Sequence, residues 1–164
     1  MLNKKVQDAI NEQIKNELYS AYIYLAMSAH FEAANLPGIA RWMRMQSNEE
    51  VEHAMKFFDY VYDRGGRVAL KALDQPPFEW ASPLAAFEQV YEHEQKVTGM
   101  INNLYALATK ENDYPTEVLL HWYINEQVEE EKNASMIVEQ LRMIGDHTSA
   151  LMMLDHHLGE RGGE

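Results

Sequence analysis

The chain has 164 residues, with 26 Asp plus Glu against 14 Lys plus Arg and no cysteine. A single domain of this length buries a core without staples, and the lack of cysteine excludes disulfides, iron–sulfur clusters and thiolate metal sites. The acid excess excludes the basic footprint of a phosphate-backbone binder, so no nucleic-acid partner is expected.

Helical periodicity dominates from the first residues onward. The N-terminus, M-L-N-K-K-V-Q-D, has no signal-peptide apolar run, and a cytoplasmic location is the expectation. The spacing predicts a first helix from about Lys4 to Ala34, stopped at Asn35-Leu36-Pro37-Gly38. Its most apolar stretch, Tyr19 to Phe31, is too short for a bilayer and is interrupted by Ser20, Ser28 and His30, so no membrane partner is expected. A second helix runs from about Ile39 to Arg64 and ends at Gly65-Gly66. Residues 65–82 carry two adjacent prolines and no sustained period, and read as a long connection. Ser82 caps a third helix, with Pro83 at its first position, that continues to about Lys110. Asn112-Asp113-Tyr114-Pro115 breaks it, and a fourth helix spans about Thr116 to Met143. Gly145 ends that one. Thr148 or Ser149 is expected to cap a short fifth helix to about Leu158, leaving residues 159–164 as a mobile tail.

Connection lengths set the topology. The short turns near Asn35 and Asp113 each make an antiparallel pair. A helix of about 27 residues is roughly 40 Å long. The connection of residues 65–82 can reach roughly 60 Å when extended, enough to cross the bundle and start the third helix parallel to the second. The expected fold is therefore all-α: one domain, a four-helix bundle over about 4–144 with one long crossover, plus a short C-terminal helix over about 148–158.

Two stretches are one motif written twice. N-E-E-V-E-H at 48–53 and N-E-Q-V-E-E at 125–130 agree at four of six positions, at an offset of 125 − 48 = 77. Glu17 plus 77 is Glu94, so Glu17, Glu50 and His53 map onto Glu94, Gln127 and Glu130. Each half thus supplies a lone carboxylate and an i, i+3 pair on one helix face. The core stripes place these residues centrally: Val6, Ile10, Ile14, Glu17, Ala21, Tyr24, Ser28 and Phe31 on the first helix; Ile39, Met43, Gln46, Glu50, His53, Phe57 and Tyr60 on the second. The third reads Phe87, Val90, Glu94, Val97, Ile101, Leu104 and Ala108. The fourth reads Leu120, Tyr123, Gln127, Glu130, Ala134, Ile137, Leu141 and Ile144.

A single Glu on such a stripe usually snorkels outward, and a single His is usually a satisfied core residue. Four carboxylates at one level are different, because each costs several kcal/mol to bury unpaired. Two divalent ions would neutralise them, as in two-metal carboxylate bundles. Glu50, beside His53, is the natural bridge. One ion would take Glu17, Glu50 and His53, and the other Glu50, Glu94 and Glu130, without nitrogen. Gln127, a neutral amide, is a weaker ligand and suits a supporting donor behind the ligands better. Oxygen ligands with one imidazole suit iron(II), manganese or zinc.

With those residues and spacings, the chain resembles the non-haem bacterial ferritins over nearly its whole length. The resemblance implies a ferritin-like bundle and ferroxidase activity at a di-iron centre, oxidising iron(II) with O2 or H2O2. It further implies iron storage as mineral inside a hollow shell of twenty-four chains. Tyr24 matches the family's tyrosine beside the centre. Glu49, Glu126 and Glu129, with Glu130 shared, match an additional acidic iron site facing the cavity. Bacterioferritins are similar, but they have a second E-x-x-H where this chain has Gln127 and Glu130, and a haem-ligating methionine where it has Val51, so no haem is expected. Rubrerythrins resemble the bundle too, yet need a cysteine-rich iron module. The short fifth helix, with Leu151, Met152, Met153, Leu154 and Leu158, corresponds to one that lines a shell axis, and His156 and His157 read as surface residues rather than ligands. Two other functions fit the same residues: a di-iron peroxidase or oxygen-detoxifying bundle that retains its metal, and a non-catalytic assembly module whose acids merely bind cations.

Overall fold

A computed structural model describes residues 1–162. Five helices follow in order: α1 (Lys4–Ala33), α2 (Pro37–Asp63), α3 (Pro83–Lys110), α4 (Tyr114–Ile144) and α5 (Thr148–Gly159), and the described residues contain no strand. Side-chain caps start three of them. Asn3 accepts from the Lys5 amide, Ser82 from the Ala85 amide and Asp113 from the Thr116 amide, each meeting one of the orphan N–H groups of a first turn.

The internal repeat extends into the turns. α1 ends at Ala33 and α3 at Lys110, 110 − 33 = 77; α2 begins at Pro37 and α4 at Tyr114, again 77 apart. Asn35 and Asn112, also separated by 77, both adopt left-handed backbone, with φ of 58° and 52°. Asparagine tolerates that conformation better than other residues bearing a Cβ. Both downstream helices begin two residues earlier than the spacing predicts, at Pro37 rather than Ile39 and at Tyr114 rather than Thr116. The cause is shared: proline in a first turn gives up only an N–H that has no helical partner.

Polar contacts fix the helix directions. Lys5 near the start of α1 donates to Glu111 just past the end of α3 (2.9 Å). Arg64, just past the end of α2, pairs with Asp113 at the start of α4 (2.8 Å). α1 is therefore antiparallel to α3, and α2 to α4. With the two turns making α1–α2 and α3–α4 antiparallel hairpins, α2 and α3 run parallel, as the long crossover requires. That crossover lies along the outside of α1. Gln7 accepts from the Arg67 amide (3.0 Å), and Asn11 donates to the Arg67 carbonyl (3.2 Å) and accepts from the Ala69 amide (3.3 Å).

The apolar core is split. One cluster, around Met27, Phe31, Met43 and Phe87, fills the end of the bundle on which α5 sits, and another, around Ile10, Phe57, Ile101 and Leu120, fills the opposite end. Every residue of the four predicted stripes is buried except Tyr60 and Ile144, which are half-buried. Between the two clusters lies a polar layer. No helix is long and apolar enough to cross a membrane among the described residues.

α5 lacks the cap expected for it. His147 precedes it without a side-chain cap bond, so neither Thr148 nor Ser149 caps it, and the helix runs to Gly159. Its Asp155 instead caps a different helix, accepting from the Ile39 amide (2.8 Å) at the start of α2, where Leu36 offers no side-chain cap. Of the tail expected to be mobile, residues 159–162 are placed. Arg161 pairs with Glu49 at 2.8 Å and lies over the Trp42 ring. Residues 163 and 164 lie outside the described residues.

Candidate metal centre

The polar layer gathers Glu17 from α1, Glu50 and His53 from α2, Glu94 from α3 and Gln127 and Glu130 from α4, all buried. Ligand atoms of Glu17, Glu50 and His53 lie within 4.8 Å of one another, close enough to hold one metal ion. Nδ1 of His53 is 3.4 Å from a Glu50 carboxylate oxygen. Oε2 of Glu17 and Nδ1 of His53 are buried and have no hydrogen-bond partner among the described residues, an uncommon state that native proteins reserve for strain, catalysis or ions.

The other carboxylates are each turned to a neutral donor. Tyr24 donates to Glu94 at 2.5 Å, Gln127 donates to the same carboxylate at 3.1 Å, and Gln46 donates to Glu130 at 2.7 Å. Glu17 accepts from Gln13 at 3.1 Å. Glu50, Glu94 and Glu130 thus share the layer without being drawn onto one point, and Gln127 presents its amide nitrogen, not its oxygen, to Glu94. Such bonds satisfy lone pairs without adding compensating charge.

Charge is correspondingly expensive here. Burial, together with the neighbouring Glu50, holds Glu17 well above the usual carboxylate range. Burial and the charge of Glu94 do the same to Glu50. Glu94 is raised by burial, partly offset by the Tyr24 and Gln127 bonds. Glu130 is pushed to about 7 by burial and by Glu94. Burial and Glu94 also push the Tyr24 phenol up, so it stays protonated and donates. Acids raised in this way fold more favourably in their protonated form. Glu130 contributes stability that is fully present below its unfolded value near 4.5 and lost as pH rises through about 7. The metal-free protein should therefore be more stable at pH 6 than at pH 8, by about 1 kcal/mol from Glu130 alone. Divalent-metal binding should release protons, most at the lower pH. Thermal midpoints at the two pH values, and zinc(II) calorimetry in buffers of different ionisation heat, check this. A midpoint flat or rising from pH 6 to 8 would refute it.

Residues without an assigned role in the sequence hold the centre in shape. Tyr123 donates to the His53 carbonyl at 2.6 Å and stacks on Phe57, while the Trp122 ring meets the His53 ring edge-on at 5.3 Å. His93, driven to about 4 by burial and so neutral, lies 2.7 Å from the Ser20 hydroxyl and edge-on to Tyr24. One signal was available for the amides: Gln13 and Gln46 each stand four residues before a stripe glutamate, Glu17 and Glu50, which places them on the same helix face.

Beside the centre, a pocket of about 510 Å³ opens between α2 and α4, lined by Glu49, Glu126, Glu129, Glu130 and His53 among others. The second ring nitrogen of His53 faces Glu126 at 3.9 Å, and His53, Glu126 and Glu130 form another group able to hold a metal ion. The sequence pattern did not pair His53 with Glu126. Glu49 is turned toward Arg161, and Glu129 is exposed and lies outside both groups. His156 and His157 are far out on α5, exposed and facing Glu160.

Comparison with known proteins agrees with this architecture. Residues 7–144 match the family described as ferritin-like domain. The chain is 40% identical over 161 residues to a bacterial non-heme ferritin of Bacteroides fragilis, covering 98% of this chain and all of that one. It is 38% identical to one of Staphylococcus saprophyticus, covering 98% and 96%. An open-pore ferritin of the archaeon Archaeoglobus fulgidus superposes with a TM-score of 0.97 at 52% identity, over 98% of each chain. The chain belongs to the ferritin-like family, and within it to the non-haem ferritins.

Proposed function

We propose that this protein stores iron by oxidising it. Two iron(II) ions bind as substrates in the polar layer, one at Glu17, Glu50 and His53 and the other at Glu50, Glu94 and Glu130. Each loses an electron. With dioxygen as oxidant, two iron(II), one O2 and two protons give two iron(III) and one H2O2; with H2O2, two iron(II), one H2O2 and two protons give two iron(III) and two waters. The ferric product passes to a mineral inside a shell of twenty-four chains in the cytoplasm.

The observation that carries this reading is the buried layer itself: four carboxylates and an imidazole at one level, with unpartnered lone pairs at Glu17 and His53. A structural layer would be expected to satisfy those atoms. Carboxylate-rich ligation favours the harder iron(III) over iron(II), which assists the electron's departure. His53 adds a nitrogen to the first position only, so that ion should be held more tightly and the second released more readily. Tyr24 and Gln127 hold Glu94, and Gln46 holds Glu130, in fixed positions within the layer. Membership of the ferritin family and the resemblance to ferritin structures support the shell. In the adjoining pocket, Glu126, Glu129, Glu130 and Glu49 offer a third iron position between centre and cavity.

Anaerobic loading of the metal-free protein with iron(II), followed by exposure to air, should give a rapid ferric absorbance within a hollow particle of twenty-four chains. Retention of only two irons per chain on a free bundle, with no growing mineral, would point instead to an enzyme that keeps its metal. Binding without oxidation would overturn the catalytic reading.

A further inference from the structure

The acidic pocket contains its own cations. Lys56 lies over the Trp122 ring at one side, its Nζ 3.6 Å from the centroid. At the other side stands Arg161, two residues past the end of α5. Its Nη2 is 2.8 Å from Oε2 of Glu49, and its guanidinium carbon is 4.7 Å from the centroid of Trp42. Trp42 is itself buried against Phe87. The Arg161 amide donates to the Leu158 carbonyl (3.3 Å), and its own carbonyl accepts from Arg41 (3.4 Å). The guanidinium is thus held by a ring face, a carboxylate and an anchored backbone, at the rim of a pocket that also presents Glu126, Glu129 and Glu130.

We propose that Arg161 is a built-in competitor for the pocket's metal, a residue that sets divalent-cation affinity at the mouth by occupying Glu49. This rests on the reading of Glu49 as a ligand of the third iron position. A guanidinium does not deprotonate in proteins, so the competition is cation for cation, independent of pH at Arg161 itself. An ion entering at His53, Glu126 and Glu130, the group that the pocket brings together, finds Glu49 already committed. To gain that further carboxylate it must displace Arg161, which keeps the Trp42 face as a resting place. The pair is partly solvated, with side chains 24% and 41% exposed, and pairs of that kind shift an equilibrium by up to about fivefold. The affinity of a site whose competent form is only partly populated falls by the same fraction. An ion held loosely at the mouth leaves readily in either direction, which suits a position between centre and cavity better than a trap would.

The test titrates zinc(II) into the assembled metal-free protein by calorimetry at low ionic strength, following the weakest of the three binding classes, that of the pocket. Arg161→Gln should tighten that class about three- to fivefold and leave both classes of the paired centre unchanged; the gain should shrink in high salt. Arg161→Lys, which keeps the charge, should retain most of the wild-type weakness. Glu49→Gln should weaken the class, and in that background Arg161→Gln should no longer tighten it. If Glu49→Gln weakens binding while Arg161→Gln changes nothing, the competitor role is overturned and Glu49 remains a ligand. If Glu49→Gln has no effect on zinc(II), the ligand assignment itself fails. The unaltered protein supplies a second check. A zinc(II)-soaked crystal should show Glu49 on the metal and parted from Arg161, whereas zinc(II) on Glu126 and Glu130 with the Glu49–Arg161 pair intact would overturn the proposal.

Discussion

Glu50→Gln should remove rapid iron(II) oxidation, by at least about a hundredfold, while making the metal-free protein more stable. The two effects have one origin. Glu50 is buried beside Glu17, in the field of Glu94 and Glu130, and it is the carboxylate that both proposed ions share. A neutral amide of the same shape withdraws one negative charge from the bridge, so both metal positions weaken together and the electron-transfer step loses its substrate pair. Hundredfold losses are ordinary when a group that positions a reacting metal is removed. Without metal the balance reverses. The amide adds no charge to the layer, and its NH2 can donate to the unpartnered oxygen of Glu17. Replacing a buried ionisable group by a well-fitting neutral one commonly stabilises by about 1–3 kcal/mol. The gain should grow with pH, as more of the buried carboxyl must be held ionised. Stopped-flow ferric absorbance and thermal midpoints with and without zinc(II) read both effects. A well-assembled Glu50→Gln variant that oxidises iron(II) at the wild-type rate would remove Glu50 from the centre. One that is less stable without metal would show that the layer is structural.

Gly38→Ala is expected to detach α5, at a cost of about 4–7 kcal/mol from lost docking. A Cβ at residue 38 would stand 1.7 Å from the Asp155 carbonyl oxygen and 2.5 Å from its carbon. Both are backbone atoms, so no rotamer relieves the overlap and the whole helix must move. On the same surface Gly159 passes so close that a Cβ there would lie 2.9 Å from the Gly38 Cα. Moving α5 breaks the Asp155 cap on the Ile39 amide and uncovers Leu154 and Leu158, both now buried. Each apolar side chain contributes roughly 1.5–3 kcal/mol by burial, and the cap about 1 kcal/mol. Because α5 is an appended element, the damage should be local. Amide exchange should show α5 losing protection while the remote ends of α1 and α4 keep theirs. Unchanged protection across residues 148–159 would show that the backbone yields more easily than this packing allows.

The layer's membership could be read from the sequence, but its orientation could not. Helical spacing and the 77-residue repeat name Glu17, Glu50, His53, Glu94, Gln127 and Glu130 because membership depends only on which face a residue occupies. The direction in which each carboxylate turns depends on partners far away in the chain. Tyr24 and Glu94 are 70 residues apart, Gln46 and Glu130 are 84 apart, and Arg161 and Glu49 are 112 apart. No local pattern encodes those pairs. The same holds for the cap of α2, supplied by Asp155 from 116 residues downstream. The helix starts at Pro37 and Tyr114, by contrast, were within reach. Proline's place in a first turn and the two asparagines at the repeat offset marked both boundaries.

The division into two hairpins has a mechanical consequence. α1 and α2 bring Glu17, Glu50 and His53; α3 and α4 bring Glu94 and Glu130. Neither hairpin owns a complete centre, and the seam between them runs through the layer where like charges meet. A pair of ions shared through Glu50 would staple that seam, as a disulfide would in a chain that had cysteines, but the staple would be the proposed cargo. A subunit empty of iron would be the one most ready to open along the seam, and filling it would clamp it shut. In such a protein, iron supply and resistance to unfolding would rise and fall together.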